Sequence, residues 1–398
     1  MRKLNDICNV ITCGVAKRPE YYDDGIPFLS SKNVKSDRFL LNDYKYVSKE
    51  DFLSLTKNNK PEKGDILYTR VGSFGEAAVI DFDFDFAIFV SLTLIKPKND
   101  IVLSRYLMHY LNSPKIKHLA KNSTSGVGVQ NLNVKVVREF PIQLPPLDQQ
   151  KKIAAILDAA DAYRQKTKAL IEKYDELTQS LFLDMFGDPV RNPKGWETQS
   201  IVKLVKDEKY SLKRGPFGGA LKKEIFVEEG YLVYEQFHAL NNDFSMARYF
   251  INEEKYNELI GFAVKPKDII ISCSGVYLGK LAIIPDKAKE GIINQALLKL
   301  TLDQSKMRND FFVFHFTQEN FKKTYFDSNR GAGIPNFPPM KVFKQFPFIA
   351  PPIELQNQFA ERIQVIEVQK TQAQAGLAQA EDLFNSLLQR AFKGELTN

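Results

Sequence analysis

Pro145-Pro-Leu-Asp-Gln-Gln150 and Pro351-Pro-Ile-Glu-Leu-Gln356 open two stretches that align without a gap, 206 residues apart. From each opening, apolar residues recur at helical spacing for about forty residues, to Ser180-Leu181-x4-Phe186 and to Ser386-Leu387-x4-Phe392. No proline interrupts either run, and Gly376 is the only internal glycine. The spacing predicts two long helices, each roughly 60 Å at ~1.5 Å per residue. On the first, Ile153, Leu157, Ala160, Ile171, Tyr174 and Leu181 fall on one stripe, with Tyr163 and Met185 in line. On the second, Phe359, Ile363, Ile366, Leu377, Leu383 and Leu387 do the same. Such stripes need a partner. A dimerising coiled coil is one answer, but the tandem order of globular segment, helix, globular segment, helix favours pairing within the chain. A pseudo-twofold between the halves then makes the helices antiparallel, an intramolecular coiled coil.

The repetition extends weakly into the globular segments. Lys63-Gly-Asp-Ile-Leu-Tyr-Thr-Arg-Val-Gly72 corresponds to Pro266-Lys-Asp-Ile-Ile-Ile-Ser-Cys-Ser-Gly275, each a short apolar strand entering a glycine turn. A strand over Phe89 to Lys96 matches one over Ile293 to Leu300. Amphipathic helices follow at Ser104 to Lys121 and Asn309 to Tyr325, with His109 and His315 at like places. Glycine loops, Gly126-Val-Gly-Val-Gln-Asn131 and Gly331-Ala-Gly-Ile-Pro-Asn336, precede a last strand in each half. The expected fold is therefore α+β: two duplicated α/β domains over 1–146 and 187–352, separated by helices over 147–186 and within 353–398.

Composition narrows the class. Of the net charge of +7, each globular half contributes +5 and the two helical repeats −1 and −2. Matched basicity in duplicated domains suits one polyanion touched twice. Cys8, Cys13 and Cys273 show neither disulfide-frame nor zinc-ligand spacing. The most apolar window, Phe82 to Ile95, is interrupted by Asp83 and Asp85, and MRKLNDICNV lacks a hydrophobic signal core. A cytoplasmic protein without a membrane partner is expected.

Catalytic signatures are missing. There is no G-x4-GK[ST] phosphate loop and no G-x-S-x-G nucleophile elbow. The glycine loops lack Gly-x-Gly-x-x-Gly spacing and read as tight turns. Asn336-Phe-Pro-Pro-Met340 has the wrong order for gripping an exocyclic amine. Along the chain, neither His109 nor His315 neighbours a Cys or carboxylate at metal-ligand spacing. No catalytic residue, metal or cofactor is expected.

What remains are polar, basic and aromatic side chains at turns that the duplication places alike. Arg70 and Ser73 follow the first strand-glycine element; Ser274 and Tyr277 follow the second. Arg can fork onto guanine, whereas Ser is more permissive, as a pair of readers for different sequences requires. Lys17, Arg18, Tyr21 and Lys32 join them in the first half, and Lys213, Arg214, Gln236, His238, Gln295 and Arg330 in the second. The basic members suit phosphate positioning.

In this order and duplicated, these elements resemble the specificity subunit of Type I restriction-modification systems. The resemblance rests on the PPLDQQ and PPIELQ openings, the GDIL and KDII strands, and the G-x-G-x-x-N-[LF] loops. Met185-Phe-Gly-Asp-Pro189 with Lys194-Gly-Trp196, and Leu387-Leu-Gln-Arg-Ala-Phe-Lys-Gly-Glu-Leu396, add to it. It implies a non-catalytic subunit whose two target recognition domains each read half of a bipartite, asymmetric site on double-stranded DNA. It further implies helices that set the unread spacer and dock two modification subunits bringing S-adenosylmethionine. A restriction subunit would add ATP and Mg chemistry. The second half departs in having Leu355 for Gln149, an extra Gly215-Pro-Phe-Gly-Gly219, and Gln295 where the first half has Ser91. A self-contained DNA methyltransferase or nuclease, and a duplicated protein-binding adaptor, are the readings from other classes.

Overall fold

The computed structural model describes residues 2–16, 18–124, 130–275, 277–326 and 336–396. The chain forms two compact units. One comprises Met1–Ala169 with Ala373–Asn398, the other Leu170–Gln372. In the first unit an antiparallel sheet runs in the order Cys8–Cys13, Leu92–Pro97, Ile66–Thr69, Ala77–Val79. A second sheet places Ile26–Leu29 between Lys45–Val47 and a parallel partner, Ala87–Ile88. The second unit repeats both. Its antiparallel sheet is Leu212–Arg214, Leu297–Leu300, Ile269–Ser272, Leu281–Ile283. Its other sheet again has one parallel pair, Tyr231–Tyr234 with Gly291–Ile293, and gains an edge strand at Ala263–Val264. All four residues of ILYT and of IIIS are buried, as strands covered on both faces require. The aspartate before each strand closes the entering turn. Asp65 Oδ2 accepts from Glu62 N–H at 2.9 Å and Asp268 Oδ2 from Lys265 N–H at 2.8 Å.

The long helices span Leu147–Phe186 and Ile353–Lys393. Each unit contains the start of one and the end of the other. In the first unit, Ile153, Ala154 and Leu157 share a core with Phe384, Leu388 and Phe392. The Phe392 ring stands edge-on to Tyr106 and Tyr110, at 5.5 and 5.0 Å. In the second, Phe359 and Ile363 share a core with Phe182, Met185 and Phe186. Phe359 meets Phe182 and Phe186 at 5.7 and 5.3 Å. Within each unit the two segments run antiparallel. Lys168 pairs with Glu381 at 3.1 Å while Arg164 lies over Phe384 in one, and Lys370 pairs with Asp175 while Phe359 meets Phe186 in the other. The closing phenylalanine of each repeat, Phe186 and Phe392, is thus a core residue of the globular body beside it.

The last residue of each opening motif joins helix to domain. Gln150 is fully buried: its Oε1 accepts from Leu103 N–H at 2.9 Å, and its Nε2 donates to Ile101 O and Pro145 O. Gln356 repeats this with Arg308 N–H at 2.9 Å, Lys306 O and Pro351 O. The accepted N–H groups belong to Leu103 and Arg308, which precede the helices Ser104–Leu111 and Asn309–Thr317 and offer no side-chain cap of their own.

Several expectations need correction. Leu383 does not face the partner helix; it is 54% exposed, and its neighbour Phe384 takes the buried position. Both fit a helical period, and the ring that reaches Arg164 and His109 wins. Tyr163 is likewise exposed, whereas Ala160, Ile171, Tyr174, Leu181, Ile366, Leu377 and Leu387 are half-buried. The helix expected over Ser104 to Lys121 is two, Ser104–Leu111 and Pro114–Asn122, because Ser113 caps a new start with Pro114 at its first turn. Asn309 to Tyr325 also divides, at the extended residue Gln318. Short helices, Val134–Arg138 and Met340–Phe343, precede the last strands.

Gln356→Leu would leave one donor and two acceptors without the buried amide, at about 1–3 kcal/mol for each group left unsatisfied. It is expected to lower the stability of the second unit by about 2–4 kcal/mol in urea unfolding resolved by hydrogen exchange. A change within about 0.5 kcal/mol would show the contact to be incidental.

Candidate nucleic-acid interface

Four chain segments, distant in sequence, meet at one end of the four-stranded antiparallel sheet in each unit. After Cys8–Cys13 the chain passes so close to the smaller sheet that a Cβ on Gly14 would lie 2.1 Å from Ile88 O. Gly215 occupies the equivalent place, where a Cβ would lie 1.8 Å from Asn294 O. Only glycine fits either crossing. Gly14 N–H donates to Leu92 O at 3.1 Å and Gly215 N–H to Leu297 O at 2.8 Å. Arg70 N–H donates to Ser91 O and its carbonyl accepts from Leu132 N–H, while Cys273 bonds likewise to Ala296 O and Phe337 N–H. Bridges Val71 to Asn131 and Ser274 to Asn336 bring in the segments that follow the glycine loops.

This framework settles which residues correspond. Leu92 pairs with Thr69, and Leu297 with Ser272. Gln295 therefore corresponds to Val90 and not to Ser91, whose counterpart is Ala296. The extra Gly215-Pro-Phe-Gly-Gly219 begins at the counterpart of Gly14, so the first half has the same crossing in shorter form.

Side chains around this sheet end divide into those that build it and those that project. Arg70 builds it. It is 8% exposed, and its Nε, Nη1 and Nη2 donate to Leu132 O, Val90 O and Asn131 Oδ1, each at 2.9 Å. With those donors committed to the chain, the expected fork onto a base is not available. His238 is also structural: fully buried, with Nδ1 against Glu235 and Nε2 3.0 Å from Met246 O. Gln236 is half-buried and its Nε2 donates to Ser272 Oγ and Ser274 O, so it orients the turn that carries Ser274. Lys213 lies over the rings of Tyr210 and Phe262 at 5.4 and 5.0 Å. Arg214 is half-buried, Lys32 is exposed and paired with Asp43 at 2.8 Å, and Tyr21 lies on the smaller sheet beside Phe28.

Those that project are Arg18 and Ser73 in the first unit and Tyr277 and Gln295 in the second, Tyr277 at 59% exposure. Phe217, which motif reading passed over, stands 83% exposed two residues after the Gly215 crossing. Its signal was the Gly-Pro-Phe-Gly-Gly string, an aromatic held between conformationally special residues. Lys17, Arg330 and the glycine loops at Gly126 and Gly331 lie outside the described residues.

Elsewhere the chemistry is that of packing. Among the described residues, Asp37, His109 and Asp158 form one grouping of metal-ligand type. Chain spacing had not revealed it, because the carboxylates come from a turn and from the first long helix. Arg105 already stands between them, bonding both carboxylates, with His109 Nε2 2.6 Å from Asp158. Burial pushes the Asp37 carboxyl up against the pull of Arg105. Burial acts the same way on Asp158, but His109 and Arg105 outweigh it and hold it below the usual range. Burial pushes the thiols of Cys8 and Cys273 up to about 12, far from the thiolate form a nucleophile needs. No helix among the described residues is long and apolar enough to cross a membrane.

The same loop cluster is thus built twice, each time beside sheets joined to long helices. Residues 1–174 match the family described as the Type I restriction modification DNA specificity domain. The MjaX specificity subunit of Methanocaldococcus jannaschii is 23% identical over 92% of this chain and 86% of its own length. The MjaIX specificity subunit of the same organism is 23% identical over 100% of this chain and 93% of its own. The EcoBI specificity subunit of Escherichia coli is 26% identical over 46% of this chain, which spans 40% of that relative. The fold is shared with the solved S subunit from M. genitalium, at TM-score 0.55, 15% identity and coverage of 98% and 95%. It is also shared with a chain of a type I R-M system solved to explain its assembly, at TM-score 0.62, 16% identity and coverage of 99% and 97%. Over nearly its whole length the chain is similar to specificity subunits of type I restriction-modification systems.

Two outcomes check the division between building and projecting residues. Arg70→Ala strands three acceptors and should cost the first unit about 2–4 kcal/mol in urea unfolding, with Arg70→Lys unable to restore it. If Arg70 read bases, stability would stay within about 0.5 kcal/mol while DNA affinity fell. His315 is fully buried, accepts from Ile349 N–H at 3.2 Å, and is pushed down to about 3 by burial. The unfolded chain binds this proton below about 6.5 and the folded chain does not until near 3. Stability is therefore full above 6.5 and is lost as pH falls through that window. The loss attributable to His315 should be roughly 1.5 kcal/mol between pH 6.5 and 5, seen as a convergence of wild-type and His315→Phe stabilities. Parallel pH profiles would contradict it.

Proposed function

We propose that each unit reads one half of a bipartite, asymmetric site on double-stranded DNA through the sheet-end loop cluster. The observation that carries this is one backbone frame built twice and dressed differently: Arg18 and Ser73 project from one copy, Phe217, Tyr277 and Gln295 from the other. A common frame presenting different side chains is what two half-sites of different sequence require. One such cluster discriminates over a few base pairs at ~1–3 kcal/mol for each mismatch, and two multiply that discrimination. The long helices, ~60 Å of rise, fix the unread spacer between half-sites; sites about one DNA turn, ~34 Å, apart face one side of the duplex.

In this reading the chain does no chemistry. The helices dock two modification subunits, which bring S-adenosylmethionine and methylate adenine. A restriction subunit, where it joins, supplies ATP- and Mg-dependent translocation and cleavage. The Arg105 ion network and the buried thiols of Cys8 and Cys273 belong to packing in this reading.

Methylome sequencing of cells carrying this chain with its modification subunit should show one interrupted, non-palindromic motif. Inserting four residues after Ala169 and four after Ala375 adds ~6 Å of helix and should lengthen the spacer by about one to two base pairs, at ~3.4 Å each, with both half-sites unchanged. Altered half-site bases would refute the helical ruler. Methyl transfer by the chain alone would make it an enzyme, and an assembled complex without salt-sensitive duplex binding would make it an adaptor.

A further inference from the structure

Away from the loop cluster, at the other end of the same antiparallel sheet, the second unit departs from the first at three places that meet. The first is an insertion. In the first unit Cys8 and Val10 pair with Pro97 and Lys96, and only Asn9 lies between them. In the second, Val205 pairs with Leu302 and Ser211 O accepts from Thr301 N–H at 2.7 Å, with Lys206-Asp-Glu-Lys-Tyr210 looped out between. Tyr210 closes that loop at a φ of 72°, a left-handed conformation that bulky side chains rarely adopt. The second place is the added edge strand Ala263–Val264 with the turn Ile260–Phe262 before it. The Tyr210 ring lies on that turn, since a Cβ on Gly261 would be 3.2 Å from it. The third is Lys299, which stands where the first unit has the fully buried Leu94.

Together these enclose a cleft of about 480 Å³, whose lining includes Tyr210, Tyr256, Asp268 and Lys299. Lys299 is 7% exposed. Its Nζ donates to Ala263 O at 2.5 Å, and among the described residues no carboxylate pairs with it. An ammonium has three donors, so two are left for whatever enters the cleft. The carboxylate at that depth is already committed: Asp268 Oδ1 accepts from Thr301 Oγ1 at 2.6 Å and Oδ2 from Lys265 N–H at 2.8 Å. The first unit has its lysine two residues further along, at Lys96, where Glu62 and Asp65 pair with it. Around the cleft, exposed Lys206, Lys209 and Lys265 outnumber exposed Glu208 and Glu290. Burial pushes the Lys299 ammonium down, the response of a cation that lacks its counter-ion.

We propose that this cleft is a small-molecule site whose ligand is a compact aromatic anion. A phosphate or carboxylate group takes the two open donors of Lys299, and a planar ring packs against Tyr210 and Tyr256. The volume suits a molecule of that size. A cation buried in place of a leucine costs stability, which a bound anion restores. The site goes beyond DNA reading, because the loop cluster lies at the opposite end of the strands, beside Leu297 and Ser272.

The test is calorimetric titration of the full chain with phenyl phosphate, benzoate, inorganic phosphate and phenol. Phenyl phosphate or benzoate should bind at least about tenfold more tightly than inorganic phosphate or phenol, and the tighter of the two assigns the anionic group. Lys299→Leu, which installs the residue of the first unit, should remove at least about tenfold of that affinity. Tyr256→Leu should remove the advantage over inorganic phosphate. In the wild type, the carbon-13 resonance of Lys299 Cε should move on titration ahead of those of the surface lysines, a measurement that depends on no variant's folding. Equal affinity of wild type and Lys299→Leu, a Lys299 resonance that stays still, or no binding of any probe at millimolar concentration would overturn the proposal. The methylated motif should be the same with Lys299→Leu as with the wild type. A changed motif would make Lys299 part of DNA recognition and overturn the proposal, whereas failure of the probes alone leaves the DNA reading standing.

Discussion

Each globular body is held to its long helix by one buried glutamine. Gln150 and Gln356 close the gap between the opening of a helix and the uncapped start of the short helix beside it, each meeting one N–H and two carbonyl groups. An amide is the only neutral side chain that can donate twice and accept at once, and burial makes every one of those bonds costly to lose. The rest follows from this joint. With the helix angle fixed at its root, the closing phenylalanine of the other helix finds a prepared aromatic seat: Phe392 at Tyr106 and Tyr110, Phe186 at Phe311 and Phe359. The loop cluster is then carried on a braced mount, as the proposed reading of two half-sites needs.

Beyond that joint the copies have diverged in how they are stabilised. The first unit anchors its helix with ions: Arg105 between Asp37 and Asp158, with His109 on the far side. The second has Asp310 at the counterpart of Arg105, and meets its helix with an aromatic cluster of Phe182, Phe186, Phe311 and Phe359. The ionic anchor demands partners of fixed geometry, the aromatic one close packing. The loop clusters diverge in the same manner. Gly14 and Gly215 are forced by a neighbouring carbonyl and persist, while the next segment differs, with half-buried Val90 in one copy and exposed Gln295 in the other.

Period and repetition made the architecture legible. The forty-residue helical patterns had no strong breaker, and duplication turned weak strand patterns into paired evidence. Phase was harder to read. Leu383 and Phe384 are adjacent and both apolar, and only the partner surface decides which is buried. The helix break at Ser113-Pro114 was written in capping chemistry that a purely apolar periodicity overlooks. Site residues were legible by location and misjudged by role. Arg70 and His238 sit near the right turns, yet carbonyl groups of Leu132 and Val90 claim the one and those of Glu235 and Met246 the other, and no linear spacing reveals which carbonyls will arrive. Phe217 shows the reverse: the Gly-Pro-Phe-Gly-Gly string marked its place, while its apolar ring argued for burial and hid its 83% exposure.

One unit is contiguous from Leu170 to Gln372, whereas the other needs both Met1–Ala169 and Ala373–Asn398. A ribosome therefore finishes the second body before the first, although it starts the first one earlier. Until Phe384, Leu388 and Phe392 emerge, the seat around Tyr106 and Tyr110 stays uncovered. The nascent first body must wait half-closed through the synthesis of its sibling, so the last turns of the chain act as a completion latch.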